Sequence, residues 1–296
     1  MHGGAITTLL ILGAIGVRAQ QIPVPPPEQR REASPVYQVT VVSRTAKAIN
    51  YGTRTEPTKI NFKGTVLMPD GRGEATVQSR QGAVQIRTKF ERVMSPTRFG
   101  SSYLTYVLWA ISPDGRAQNL GELVLDPSNK GKLEVSTNLQ AFALIVTAEP
   151  YFAVTQPSDV VVMENEVRPD TVGKVEAVDA KYELLPRKPF VYETGSLNGS
   201  PEGPKLSKDE YESTLALYQA LNSIQLAKAA GAERYAPDIL QKAQQLYQEA
   251  LDANTRKAGA KAVITPAREA AQRGADAREV SLRKGSGETA EPSKAE

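Results

Sequence analysis

Carboxylates are the side chains of this sequence best suited to chemistry, because the other usual reactive groups are missing. The chain has no cysteine, and its single histidine is His2. A thiolate nucleophile, a disulfide and a cysteine-ligated zinc site are therefore excluded. We expect His2 to be lost with a cleaved N-terminal segment, which would also remove imidazole acid–base catalysis and histidine metal sites.

Two pairs of neighbouring acids are the candidate sites. Glu164 and Glu166 lie two residues apart in a predicted strand, so their side chains share a face and could form an acid pair for glycoside hydrolysis or metal binding. Asp209 and Glu210 fall in the first turn of a predicted helix, where negative charge complements the helix dipole. No third group accompanies either pair. We therefore predict no catalytic, cofactor-binding or metal-binding residues and no enzymatic activity.

The only tryptophan, Trp109, lies in an apolar run over residues 103–111. Alternate residues of a strand point to opposite faces, and here both sets are apolar, which is typical of a strand covered on both sides. We predict that Trp109 and Tyr106 are core residues and do not line a ligand groove. A Pro-Asp-Gly turn at 113–115 follows, and residues 119–126 return as the partner strand.

The segment from Arg256 to Lys284 is basic, with eight basic residues against three acidic ones. Its arginines step by about 140° around a helix, so they do not gather on one face. Small residues fill the remaining arc, as expected for a solvated helix that packs through its small side. The members of this small-residue seam are Val263, Ala267, Ala270, Gly274, Ala277 and Ser281. Because the net charge of the whole chain is only +3, nucleic acid is not an expected partner.

The elements that position these residues change character along the chain. From residue 36 to 165, short alternating runs recur with turn signals between them, which is typical of an antiparallel, immunoglobulin-like (Ig-like) β-sandwich. The predicted strands are 36–42, 58–68, 74–93 (a pair joined near Gly82), 103–111, 119–126, 133–138, 141–150 and part of 151–165.

Helical periodicity begins after residue 206. Ser207 and Glu210 form a capping-box pattern at the start of the first helix. A second helix begins near Pro237, and we expect a third to begin at Pro266, with Thr265 as its cap. The predicted fold class is therefore α+β in two parts, with the β-sandwich followed by an antiparallel α-helical hairpin or three-helix bundle.

The N-terminus predicts export. Residues 5–16 form an apolar run that is shorter than the about 20 residues of a membrane span, and cleavage after Ala19 fits a small-x-small site. No integral membrane span is expected after cleavage. The predicted organisation is a signal peptide (1–19), a proline-rich spacer (20–35), a β-sandwich domain (36–165), an extended arm or further hairpin with a linker (166–206), a helical domain (207–284) and a disordered tail (285–296).

Residues 103–163 resemble the extracytoplasmic sandwich domain of anti-sigma-K factors. The pattern is YVLWAISPDGRAQNLGEL, followed by FALIVTAEP and FAVTQPS, and it covers about a fifth of the chain. The sequence lacks a cytoplasmic sigma-binding segment. The resemblance thus implies a fold and does not extend to sigma-factor sequestration.

Residues 220–278 resemble an uncharacterised Ala-rich helical domain of bacterial envelope proteins. Its mark is an A-x-x-A-G-A-x-x-Y-A-P run, here from Ala227 to Pro237. In relatives this domain often precedes an outer-membrane-protein-A-like peptidoglycan-binding domain. We find no such domain in the sequence, so peptidoglycan binding is not transferred.

These observations favour a secreted, periplasmic or otherwise extracytoplasmic protein of the bacterial cell envelope. We expect a non-catalytic structural or interaction protein, a β-sandwich spacer with an Ala-rich helical packing module, whose partner is an envelope protein or a cell-wall component. The alternative is a carbohydrate- or peptidoglycan-associated binding module that uses exposed aromatic side chains as platforms. An enzyme that works with carboxylates alone is the third class, and it requires Glu164 and another acid to converge in a pocket.

Overall fold

A computed structural model describes residues 42–52, 56–80, 82–126, 128–166, 177–184 and 207–290. All of them belong to one compact unit, Val39–Glu296, so the β part and the helices are parts of the same body. The predicted signal peptide, the spacer, most of the linker and the end of the tail lie outside the described residues, as does nearly all of the strand predicted over 36–42.

In the described part of the chain, ten antiparallel strands make up the β part and helices follow them, which confirms the α+β class in two parts. Within the segment predicted as an arm and linker, the structure describes one strand, which pairs with the first strand of the chain. The strands are β1 Val42–Asn50, β2 Thr58–Gly64, β3 Arg72–Arg80, β4 Ala83–Glu91, β5 Thr105–Ile111, β6 Ala117–Leu123, β7 Gly131–Thr137, β8 Ala141–Glu149, β9 Val161–Glu166 and β10 Ala177–Leu184.

The strand β8 organises the sheet. It pairs along its length with β5, and its other edge is shared by β1 near its start and β9 near its end. From β9 the sheet continues through β2, β3 and β4 to β7, while β6 pairs with β5. The sheet curls so far that Thr137 on β7 donates a hydrogen bond to Gln118 on β6, with 2.7 Å between the two oxygens. The β part is therefore a nearly closed, barrel-like sheet.

The β5 strand separates two hydrophobic cores, because its two faces are both buried. Tyr106, Leu108 and Ala110 face the interior of the curled sheet. Val107, Trp109 and Ile111 face the other way and pack in a second core that also contains Leu226 and Ala275 of the helices. The two-sided cover predicted for this strand is thus confirmed, and the helices supply one of the two layers.

Helices account for the described residues from 208 onward. They are α1 Lys208–Ala229, α2 Ala232–Tyr235, α3 Pro237–Thr255 and α4 Ala260–Ala290. The capping box at Ser207 and the start of a helix at Pro237 are confirmed. The start predicted for the last helix is wrong, because Pro266 lies inside α4. The residues before it, AKAVI, follow the left-handed Gly259 and extend the helix by more than a turn on its N-terminal side.

The last helix also runs beyond its predicted end. The α4 helix continues to Ala290, so the first residues of the predicted disordered tail, which starts at residue 285, are helical. In the sequence, Gly285 and Ser286 predict the end of the helix. In the structure the side chain of Lys284 donates a hydrogen bond to the carbonyl of Tyr235 at 2.8 Å, which holds this part of α4 against α2.

The small-residue seam of α4 packs against α1. A Cβ atom built on Gly274 would lie 2.4 Å from the Oγ of Ser223, so only glycine allows the two helices to approach this closely. All members of the seam named above are buried. The Ala-rich surface of α4 is therefore buried in contacts within the chain.

Candidate functional site

The two acids named as a candidate pair, Glu164 and Glu166, both lie on β9. Glu164 on β9 forms an ion pair with Arg44 on β1, with 3.1 Å between Oε1 and Nη2. Glu166 is exposed at the end of the same strand. Among the described residues, no group of three acidic, histidine or cysteine side chains could hold a metal ion. The structure thus places Glu164 in an ion pair with Arg44, and Glu166 in solvent.

The acidic pair in the first turn of α1 serves the helix. The Oε2 atom of Glu210 accepts hydrogen bonds from the backbone N–H and the hydroxyl of Ser207, each at 2.8 Å. These bonds hold the pKa of Glu210 below its ordinary value. Asp209 lies beside it in the same acidic first turn. This arrangement matches the capping role expected from the sequence.

The aromatic residues of β5 are core residues, as the sequence predicts. Trp109 is fully buried, and its indole N–H donates a hydrogen bond to the Oγ1 of Thr147 at 2.8 Å. Tyr106 is also fully buried and donates its hydroxyl to the carbonyl of Met94 at 2.7 Å, and burial raises its pKa. Neither ring is available as a binding platform.

The indole of Trp109 begins a buried chain of hydrogen bonds that ends on a carboxyl group. Thr147 accepts from the indole and donates its own hydroxyl to Oε1 of Glu149 at 2.5 Å. The backbone N–H of Ser158 donates to the same oxygen at 2.8 Å. Burial raises the pKa of Glu149 to about 8, although these hydrogen bonds and the charge of Arg278 act in the opposite direction. Glu149 is thus a buried acid whose pKa lies well above its ordinary value.

Arg278 connects this chain to the helices. It lies on α4 and forms a hydrogen bond with Tyr151, whose pKa is raised by burial and lowered by the arginine. The positive charge of Arg278 also favours the ionised form of Glu149. One arginine of α4 therefore faces a buried acid and a buried tyrosine of the β part.

A second carboxyl group, that of Glu122, links the sheet to two helices. Glu122 on β6 accepts hydrogen bonds from Thr105 of β5 at 2.8 Å and from Gln219 of α1 at 2.6 Å. It also forms an ion pair with Arg268 of α4 at 2.6 Å, and only 6% of its side chain is exposed. The guanidinium of Arg268 stacks on the ring of Phe152, with 3.8 Å to the ring centroid. Two of the three partners of Glu122, Gln219 and Arg268, belong to helices, so this carboxylate holds the helices on the sheet.

Amide side chains of α1 complete the contact. Asn222 donates to the carbonyls of Ser102 and Pro150 at 3.2 and 3.3 Å. The Oε1 of Gln219 accepts the backbone N–H of Phe152 at 3.3 Å. We name this whole contact, centred on Glu122 and Glu149, the sheet–helix interface.

Sequence reasoning missed the sheet–helix interface. The sequence does contain a sign of this interface, because two predicted strands each carry a single acid among mostly apolar residues. These acids are Glu149 in FALIVTAEP and Glu122 in NLGELVL. The helix partners of Glu122 lie 97 and 146 residues away, so no spacing rule connects them. The sequence predicts that the last helix packs through its small-residue seam, but Arg268 of this helix also pairs with a buried acid of the sheet.

No protein-family model, curated protein or solved structure matches this chain. Of the helices in the described part of the chain, none is both long and apolar enough to cross a membrane.

Proposed function

We propose that this protein is a non-catalytic structural and interaction protein of the bacterial cell envelope. The proposal rests on two buried acids, Glu122 and Glu149, which lie in the contact between the sheet and the helices. Glu122 pairs with Arg268 of α4 and so joins the sheet to the helices, and Glu149 is hydrogen-bonded within the same contact by Thr147 and Ser158. The groups best placed for chemistry thus stabilise one compact unit, which suits a spacer or docking unit.

In this proposal the β part acts as a sandwich-like spacer, and the helices act as its covering layer. The apolar residues on both faces of β5 support a layered architecture. Because the small-residue seam packs within the chain, a partner would contact the remaining outer surfaces. The likeness to the anti-sigma-K sandwich domain and to the Ala-rich envelope domain supports the same assignment.

The proposed location is the periplasm or another extracytoplasmic space. Its support is the apolar run at residues 5–16, followed by a site for cleavage after Ala19. A chain without cysteine is also suited to an oxidising compartment, because it cannot form wrong disulfides.

The alternative, a carbohydrate- or peptidoglycan-associated module with aromatic platforms, finds less support. Such platforms need exposed rings, whereas Trp109 and Tyr106 are fully buried. Among the described residues, Tyr211 is the one aromatic side chain in the exposed class, at 37%. A single ring offers little surface for stacking a sugar chain.

The test is expression of the full chain in a bacterium with a periplasm, followed by fractionation and mass determination of the product. We expect a periplasmic product that begins at Gln20. The control variant Ala19→Arg removes the small residue at the cleavage site and should leave the chain uncut.

The processed chain is then used to capture components from envelope and cytosolic extracts of that host. Specific recovery of an envelope component supports the proposal. An uncut wild-type chain in the cytosol, recovery of no envelope component, or turnover of a substrate by the purified chain would overturn it.

A further inference from the structure

One end of the curled sheet carries a cleft of about 780 Å³ between the β2–β3 loop, the segment after β4 and the β6–β7 loop. Its apolar lining includes Met68, Val93 and Met94. Met68 and Val93 are buried, so this lining is continuous with the interior core. The volume is within the usual range for a ligand cleft.

The β2–β3 loop holds two apolar side chains outside this cleft. Val66 is 93% exposed and Leu67 is 39% exposed. The loop is well fixed, because Thr65 donates its backbone N–H to Val162 and its hydroxyl to Val161, at 2.9 and 2.8 Å. The hydrogen bonds of the neighbouring Thr65 thus hold the loop so that Val66 is exposed.

Two arginines at the cleft have no ion-pair partner among the described residues. Arg92 and Arg98 line the cleft and are exposed, whereas Lys130 is paired with Glu91 at 3.6 Å. Asp70 is the remaining acid of the lining. Arg92 has a left-handed backbone with φ of 57°, and the next N–H, that of Val93, donates to the carbonyl of Asn129 at 3.1 Å. The backbone therefore fixes the direction in which this arginine leaves the sheet.

We propose that this end of the sheet docks on the surface of a bilayer containing anionic phospholipid, with a lipid phosphate on Arg92 and Arg98 and with Val66 and Leu67 in the interfacial layer. The shape of the patch favours a bilayer as its occupant. A side chain that projects as far as Val66 would need a matching pocket in a protein partner, whereas an acyl-chain boundary accepts it without one. Guanidinium groups suit the phosphate oxygens of lipid headgroups.

This inference deepens the proposed function by naming envelope lipid as the partner, and it rests on that function for its biological setting. The test itself uses purified protein and synthetic vesicles. A failure to bind vesicles would leave the fractionation and capture results unaffected, so the two proposals fail separately.

The experiment is co-sedimentation of the purified chain with vesicles of mixed phosphatidylglycerol and phosphatidylcholine, and with vesicles of phosphatidylcholine alone. We expect binding to the anionic vesicles that weakens as salt is added. The variant Arg92→Asn/Arg98→Gln should bind about 25-fold more weakly, because each basic residue at an anionic surface contributes about fivefold. Asparagine is chosen at position 92 because it tolerates the left-handed backbone.

The variant Val66→Ser/Leu67→Ser should bind about tenfold more weakly, since it loses apolar side chains from the interfacial layer. Two matched controls should bind as the wild type does. Arg80→Gln alters an exposed arginine at the opposite end of β3, and Leu282→Ser alters an exposed leucine on α4. Circular dichroism of every variant checks that the fold is retained.

Three outcomes would overturn the proposal. One is the absence of binding to anionic vesicles. A second is equal binding by the wild type, the Arg92/Arg98 variant and the Val66/Leu67 variant, which would place the contact elsewhere in the chain. The third is saturable binding of soluble short-chain phosphatidylglycerol without any binding to vesicles, which would make the cleft a site for single molecules.

Discussion

Arg268 on α4 and Glu122 on β6 form an ion pair of 2.6 Å across the sheet–helix interface, although they are 146 residues apart in the chain. The carboxylate is almost completely buried, whereas 42% of the arginine side chain remains exposed. Thr105 and Gln219 saturate the rest of the carboxylate. A buried carboxylate with several donors depends strongly on each of them.

We predict that Arg268→Ala destabilises the protein by about 2 kcal/mol, because it leaves Glu122 as a buried charge without its cation. The value lies below the usual range for buried pairs since Arg268 is partly exposed. Urea denaturation measures the change. The exposed pair of Arg87 and Glu134, at 2.9 Å, provides the control, and Arg87→Ala should cost about 0.5 kcal/mol or less. Equal losses from the two variants would contradict the role given to Glu122.

The stability of the protein should fall as the pH rises from about 4.5 to about 8, because the pKa of Glu149 is raised from 4.5 to about 8 in the folded state. In this window the folded state holds a proton that the unfolded state has released. The free energy of unfolding then decreases with pH, by at most about 1.4 kcal/mol per unit. Tyr151 lies close to this group, and burial raises its pKa further above the window.

Urea denaturation of the wild type and of Glu149→Gln at several pH values tests this dependence. The variant keeps the shape of the side chain and removes its titration, so its stability should vary less with pH over the window. The comparison is clean because the only histidine is His2, outside the described residues. Parallel pH profiles for the two proteins would show that Glu149 is already ionised in the folded state.

Two glycines of α4 should respond in opposite ways to alanine. Alanine at 274 would press on the Ser223 side chain and backbone of α1, at 2.4 to 2.9 Å, and should destabilise the protein by about 2 kcal/mol. Alanine at 285 would meet only an ordinary contact of 3.9 Å with Tyr235, and should stabilise it by up to about 1 kcal/mol through helix propensity. Thermal unfolding of both variants measures the difference. A stabilising Gly274→Ala would mean that α1 and α4 are further apart.

The β part and the helices should unfold in one transition, because Trp109 lies in the core that they share. The single tryptophan makes fluorescence a specific probe of the sheet–helix interface, and circular dichroism at the helical wavelength reports the helices. The two signals should follow the same denaturant curve. Loss of the helical signal at lower denaturant than the fluorescence change would show that the helices melt from a folded sheet.

Local sequence patterns predicted several elements well. The pair of strands joined near Gly82 is present as β3 and β4, and Gly82 has the left-handed φ of 87° that such a turn needs. The capping box at Ser207 and the buried small-residue seam of α4 were also predictable, because caps and helical faces depend on residues only a few positions apart.

Other elements could not be read from local patterns. Pro266 predicted the start of a helix, but α4 begins earlier, because an Ala-rich stretch ahead of the proline already forms helix. The strand β1 escaped prediction since its sequence, VSRTAKAIN, lacks a clear apolar alternation and gains its partners from β8 and β10, far along the chain.

The sequence by itself determined that thiol chemistry is missing, where most of the strands and helices lie, and that Trp109 belongs to a core. These properties follow from composition and from contacts between near neighbours in the chain. Only the tertiary structure decided that the helices cover the outer face of β5, that Glu122 meets Arg268 and that Glu149 is buried beside Arg278. Those relationships depend on how the sheet curls and where the helices pack, and the partners have no common spacing that a sequence pattern could reveal.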